Sequence, residues 1–174
     1  MHEDHAKEQY FFTEGTRRRL AVLAHEHKGM PLLLCCPMVG QTLTTLYREP
    51  IISLDVDDRF RGWPGFQVWD IYRPKRLTVY EPTLIICDPP FNKVKMDQLF
   101  AAIRELTPTR PVDTVKLLIA IDPTHTGALM GAFAMYRLQP TGFFPEYVTV
   151  SPAVGIEFYS NLSDEELLPL KDST

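Results

Sequence analysis

Residues 82–91 read PTLIICDPPF. The apolar run Leu84 to Cys87 is too short for a helix and has no polar face. That pattern predicts a strand buried on both sides, as in a parallel sheet. Pro89 and Pro90 lack backbone N–H groups and end the ladder. Asp88 therefore stands at the carboxyl end of a buried strand, where an ionised carboxylate must be hydrated or matched to a donor.

Similar strand-like runs recur along the chain: MPLLLCC at 30–36, PIISLDV at 50–56, FQVWDIY at 66–72, TVKLLIAID at 114–122, TGFFPEYVTV at 141–150 and GIEFYSNL at 155–162. Between most of them lie helical patterns. TEGTRRRLAVLAHEHKG (13–29) offers Thr13 or Thr16 as a cap and Gly29 as a stop. VGQTLTTLYRE (39–49) puts Leu43, Leu46 and Tyr47 on one face. KMDQLFAAIRELT (95–107) aligns Met96, Leu99, Phe100, Ile103 and Leu106, and PTHTGALMGAFAMYRL (123–138) reads as a helix after Pro123. DDRFRGWPG (57–65) is a loop and RPKRLTVYEP (73–82) a polar connection. Strands alternating with helices, and two late strands with little between them, predict an α/β sheet of seven strands, mostly parallel, with an antiparallel C-terminal edge.

The 174 residues are expected to form one domain over 1–174, with 1–9 and 163–174 as peripheral tails and Ser163 as an N-cap in the second. Formal net charge is −4, which weighs against a nucleic-acid binder working alone. Cys35, Cys36 and Cys87 all lie in apolar runs and read as core residues of a reducing, cytoplasmic compartment. No apolar stretch is long enough to span a membrane, and MHEDHAKEQY at the start lacks an apolar signal core. The histidines of HEDH (2–5) and HEH (25–27) have poor ligand spacing, so no metal site is expected.

In a parallel α/β sheet, ligands bind outside the carboxyl ends of the strands. That singles out Cys36–Met38, Asp55–Asp58, Asp70 and Asp88–Phe91, and three of these four ends carry an acid. Asp88-Pro89-Pro90-Phe91 has two readings. It is a strand-ending turn with Asp88 capping the next helix, or it is a socket for an amino group. In the second, the Asp88 carboxylate and the Pro89 carbonyl accept the hydrogens of the amine, and Phe91 stacks on a flat partner. A neutral ring amine is a poor nucleophile, and acceptors placed where positive charge develops would favour its attack.

DPPF resembles the (Asp/Asn)-Pro-Pro-aromatic motif of amino-directed methyltransferases that use S-adenosylmethionine. With EQYFFTEGTRRRLA at 8–21, LDVDDRF at 54–60, FQVWDIY, CDPPF and GIEFYSNL, in that order, the chain is similar over residues 8–162 to the family named for N-6 adenine methylation, whose eukaryotic members include elongation factor 1-alpha lysine methyltransferases. The resemblance implies a Rossmann-like class I methyltransferase fold, S-adenosylmethionine as cofactor and methyl transfer to nitrogen. It implies Asp88, Pro89, Pro90 and Phe91 as the catalytic set. It also implies that Asp55, with Asp57, meets the cofactor ribose, Asp70 the adenine amine, and Cys36, Pro37 and Met38 the methionine part. Tyr10, Phe11 and Phe12 would cover the pocket. The substrate implied is macromolecular, either adenine in nucleic acid or a protein lysine, with a partner subunit left open. Where the wider fold places a Gly-x-Gly loop after the first strand, this chain has CCPMVGQT with a single Gly40, as the named family also tends to lack that loop. This turn is the best support for a competing expectation, a catalytically silent methyltransferase-like binding module.

Overall fold

The computed structural model describes residues 1–78 and 80–171. Val79, in the polar connection, and residues 172–174, in the expected C-terminal tail, lie outside the described residues. Five strands run parallel: β1 (Pro31–Leu34), β2 (Ile52–Asp55), β3 (Phe66–Val68), β4 (Leu84–Cys87) and β5 (Lys116–Ile121). With β6 (Gln139–Pro140) and β7 (Glu157–Ser160) they form a seven-stranded sheet of order β3-β2-β1-β4-β5-β7-β6. The chain builds outward from β1 to β3, then returns to β4 on the other side of β1. The carboxyl ends of β1 and β4 therefore flank the switch in strand order.

Alternation along the strands divides the interior into two layers. Leu32, Leu34, Ile85, Cys87, Leu117 and Ile119 face α3 (Met96–Leu106), which contributes Leu99, Ile103 and Leu106. Leu33, Leu84, Ile86, Leu118, Ala120 and Phe158 face α1 (Glu14–Glu26) and α2 (Pro37–Tyr47), through Leu20, Leu23, Val39 and Leu43. Each large side chain buried this way contributes about 1.5–3 kcal/mol. Burial on both faces is the reason LIIC has no polar alternation.

The antiparallel edge has a different internal order from a simple hairpin. β7 pairs antiparallel with β5, and β6 pairs antiparallel with β7 from outside. Pro140 has no N–H for a second partner, so β6 is confined to the edge, while Phe158 is fully buried. TGFFPEYVTV does not form a strand. Gly142 takes φ +72°, Pro145 interrupts pairing, and the segment keeps one antiparallel bridge, Tyr147 to Phe12. FQVWDIY pairs only over Phe66–Val68. The helix expected over 123–138 is shorter, α4 (Thr126–Ala132) followed by a 3-10 turn at Ala134–Tyr136.

Thr13 is the cap of α1, its hydroxyl accepting from Thr16 N at 3.4 Å. Ser163 and Glu166 form a reciprocal capping box, with Ser163 N to Glu166 Oε2 at 2.8 Å and Glu166 N to Ser163 Oγ at 3.2 Å. The short helix α5 (Leu168–Lys171) follows, with Leu170 buried. The first residues form a 3-10 turn at His5–Lys7 and are tied to the domain, since Phe11 N donates to Glu3 Oε1 at 2.7 Å. No helix of the described residues is long and apolar enough to cross a membrane.

The loop between β2 and β3 depends on Gly65. Its φ is +76°, and a Cβ there would stand 2.1 Å from the Ile51 carbonyl oxygen, while its own carbonyl accepts from Ser53 N at 3.1 Å. Gly65→Ala is expected to destabilise the protein by at least about 2 kcal/mol, through left-handed strain and backbone collision. Urea unfolding measures this, and an unchanged midpoint would contradict the geometry.

Candidate active site

Strand register brings the acidic ends together. Leu34 of β1 pairs with Leu54 of β2 and with Cys87 of β4. The next residue on each strand is Cys35, Asp55 or Asp88, so these three share one edge. Cys35 turns the chain with φ 60°, the left-handed conformation a glycine would supply elsewhere, and its N–H donates to Leu54 O at 2.8 Å. Cys36 is the N-cap of α2 and Pro37 its first residue, so Pro37 and Met38 belong to the helix rather than to a loop. Gly40 lies further inside this helix, where a Cβ would stand 3.2 Å from Leu33 Cδ1. Its role is close helix–strand packing.

Asp55 is buried at the end of β2 and accepts from Asp57 N at 2.9 Å. Desolvation raises its pKa to about 6. Asp57 is already engaged. Burial by itself would raise its pKa, but the Arg59 guanidinium, bonded at 2.6 and 2.9 Å, and Gln9 at 3.0 Å bring it down to about 2. Arg59 also donates to Gln9 Oε1 at 2.8 Å and to His2 O at 3.1 Å. Phe60 is fully buried and packs on Phe11 and Trp63. Arg59 and Phe60 thus fasten the N-terminal segment to the end of β2. Asp70 lies two residues beyond β3 and caps its own turn, accepting from Tyr72 N at 2.9 Å.

Asp88 is held from two sides. Its N–H donates to Leu34 O at 3.1 Å, and its Oδ1 accepts from the Tyr147 hydroxyl at 2.8 Å. Desolvation raises its pKa to about 8, a rise that the Tyr147 hydrogen bond opposes and the Asp55 charge adds to. The Pro90 carbonyl closes a turn by accepting from Lys93 N and Val94 N at 2.8 and 2.9 Å. The Pro89 carbonyl accepts no hydrogen bond among the described residues. Phe91 stands 5.5 Å from the His125 ring, whose Nδ1 lies 2.7 Å from Asp122 Oδ1 at the end of β5.

Two small cavities meet at Asp88 and Tyr10. One, of about 20 Å³, is bounded by Asp88–Phe91 together with Glu8, Tyr10 and Tyr147. The other, of about 10 Å³, is bounded by Gln9–Phe12, Cys35–Met38 and Asp88. The expected residues Tyr10, Phe11, Phe12, Cys36, Pro37 and Met38 thus converge on Asp88, with Pro89, Pro90 and Phe91 alongside. Asp55 stands at the same sheet edge but, like Asp57 and Asp70, borders neither cavity. Glu8 and Tyr147 border the cavity at Asp88 without having been expected there from the sequence, while His125 packs on Phe91 outside both cavities. Tyr147 lies 59 positions from Asp88 in an irregular segment, and no local periodicity marks it.

A model of the family described as "Probable N6-adenine methyltransferase" matches residues 3–163. The chain belongs to this family. No curated protein matches it. Among solved structures, it is similar to a TehB-like SAM-dependent methyltransferase from Corynebacterium glutamicum, with TM-score 0.56 and 15% identity over 84% of each chain. It also matches the glycopeptide N-methyltransferase MtfA complexed with S-adenosyl-L-homocysteine, with TM-score 0.44 and 14% identity over 91% of this chain and 78% of that one. This N6-adenine methyltransferase family member therefore has the Rossmann-like fold of S-adenosylmethionine-dependent methyltransferases, with its acids at the carboxyl edge of the sheet.

Asp88 takes up a proton on folding, because its folded pKa of about 8 lies above the ordinary value of 3.8. Its contribution to stability is therefore full below the ordinary value and is lost as pH rises through the folded one. Asparagine keeps an oxygen for the Tyr147 hydroxyl and has no proton to lose. Asp88→Asn is expected to gain about 2 kcal/mol or more on wild type at pH 8 relative to pH 5. Urea unfolding at the two pH values tests this; parallel profiles would mean that Asp88 is effectively hydrated.

Proposed function

We propose that this chain transfers the methyl group of S-adenosylmethionine to an amino nitrogen of a macromolecule, adenine in nucleic acid or lysine in protein, in the cytoplasm. One observation carries the proposal: the Asp88 carboxyl, oriented by Tyr147, borders both small cavities, the one bounded by Tyr10–Phe12 and Cys36–Met38 and the one bounded by Pro89, whose carbonyl accepts no hydrogen bond among the described residues.

The residues present suit the cofactor chemically. When bound, it supplies an electrophilic methyl group on a sulfonium. The Asp55 carboxyl, with one backbone donor, has acceptor capacity left for ribose hydroxyls. Tyr10, Phe11 and Phe12 offer apolar and aromatic surface against a cationic sulfur. The cavity of about 10 Å³ must widen for the cofactor to enter. Its N-terminal wall is held by side-chain bonds involving Glu3, Gln9 and Arg59, by the bridge at Phe12 and by burial of Phe11 and Phe12.

The chain's own residues then do three things. Asp88 and the Pro89 carbonyl accept hydrogens of the amine, leaving its lone pair free to face the neighbouring cavity. A cation placed beside Asp88 favours the ionised carboxyl, lowering its raised pKa at the moment it is needed. Tyr147 fixes the carboxyl, so little reorganisation remains as charge develops on nitrogen. Formal net charge of −4 favours a basic protein surface as the substrate over a polyanion, unless a basic partner subunit supplies the nucleic-acid grip.

Calorimetric titration with S-adenosylhomocysteine is expected to give saturable heat with the wild type and at least about tenfold weaker binding for Asp55→Ala, the loss of a pair of charge-assisted hydrogen bonds. Asp88→Ala is expected to keep that affinity within about threefold and to slow methyl transfer at least about 100-fold. A wild type that binds no cofactor would favour the silent binding module. Equal loss of binding in both variants would move Asp88 out of the transfer step.

A further inference from the structure

Phe91 borders two spaces of very different size. One is the cavity at Asp88, about 20 Å³, which has room for a single water-sized group. The other is a groove of about 610 Å³, bounded by the turn from Asn92 to Asp97 and by His125, Ala128 and Ala132. Among the described residues, Phe91 alone bounds both. Its ring packs on an imidazole that is itself held. The His125 and Phe91 ring centroids are 5.5 Å apart, with the planes at 41°. Asp122, the residue after β5, grips His125 twice: its Oδ1 accepts from the His125 backbone N–H at 2.9 Å and lies 2.7 Å from Nδ1. The Thr124 hydroxyl donates to the same oxygen at 2.9 Å. Burial by itself would raise the Asp122 pKa, but the bonds from His125 and Thr124 bring it below the ordinary value. An ionised Asp122 only accepts, so the proton between them belongs to His125 Nδ1. The turn into α4 needs only the backbone bond. The second bond fixes a partly exposed side chain that gives α4 no cap.

We infer that His125 is a positioning residue for methyl transfer: clamped by Asp122, its imidazole holds the Phe91 ring at the angle at which an acceptor seated in the groove presents its amine to Asp88. This rests on the proposed transfer reaction and adds a residue to it. The groove supplies the room that the cavity at Asp88 lacks, and the Phe91 ring is the wall the two share. His125 touches neither the amine nor the cofactor and acts through Phe91. Such an indirect role is large enough to measure, because a displacement of about an ångström in the reacting geometry costs on the order of 100-fold in rate.

The test is a double-mutant cycle on the full chain. It uses methyl-tritiated S-adenosylmethionine and two acceptor pools, total cell protein and total nucleic acid, with rates read on the pool that the wild type labels. His125→Ala is expected to slow transfer at least about tenfold at saturating cofactor. Its affinity for S-adenosylhomocysteine and its urea midpoint should stay close to wild type. Phe91→Ala is also expected to slow transfer, and adding His125→Ala to it should change the rate by less than about twofold, since the ring that the imidazole holds is gone. His125→Asn keeps an N–H for Asp122 without the ring and should behave as His125→Ala, whereas His125→Phe keeps a ring and should recover part of the rate. An unimpaired His125→Ala, a parallel loss of cofactor affinity, additive losses in the double variant or full activity of His125→Asn each overturn the role of His125 and leave the methyltransferase reading standing. No transfer by wild type to either pool overturns both.

Discussion

The pairing of Leu34 with Leu54 on one side and Cys87 on the other sets everything at the site. A slip by one residue would turn every side chain of β1, β2 or β4 to the opposite layer. Both layers are closed by helices, so the register is strongly enforced. Enforcing it leaves Cys35, Asp55 and Asp88 side by side, where the sheet stops being apolar. The electrostatics follow from that placement. Asp55 and Asp88 are each desolvated by the sheet edge, Asp55 also feels the charge of Asp57 and Asp88 that of Asp55, and their pKa values rise to about 6 and about 8. A site with two such carboxyls favours the arrival of positive charge, and both the sulfonium and a protonated amine carry it.

The N-terminal residues have a larger part than a polar lead-in. Glu3 receives Phe11 N, Gln9 bonds Asp57, and Arg59 joins Asp57 to Gln9 and His2. Asp57 therefore acts as a clasp, which explains why its pKa is pulled down while its neighbour Asp55 is pushed up. Two acids two residues apart thus have opposite electrostatics, one matched to an arginine and one desolvated at the sheet edge. The same segment supplies Tyr10, Phe11 and Phe12 to one cavity and Glu8 and Tyr10 to the other. Side-chain bonds and the bridge at Phe12 attach it as a wall beside both cavities, outside the main sheet.

Much of the fold was legible because burial on both faces leaves a plain mark. LIIC and LLIAI (117–121) have no polar residue, and Met96, Leu99, Ile103 and Leu106 repeat at the helical period. TGFFPEYVTV misled because aromatic and β-branched residues occur in it at strand frequency. In the fold they pack as isolated anchors, Phe143 on Phe158 and Tyr147 on Phe12, with Gly142 and Pro145 preventing a ladder. FQVWDIY was overread for a related reason: Trp69 and Ile71 are buried by tertiary packing after pairing has ended.

The sequence by itself determined the sheet, its helices and the acids at its strand ends, because apolar periodicity and proline are local and need no partner to be read. Only the tertiary structure decided which of those acids share a cavity. It also decided that Tyr147 orients Asp88, that Arg59 consumes Asp57, and that Glu8 and Asn92 meet across 84 positions of chain. Hydrogen bonds and desolvation depend on distance in space, and a side chain such as Tyr147 or Glu8 carries no periodic signal that tells where the folded chain will bring it.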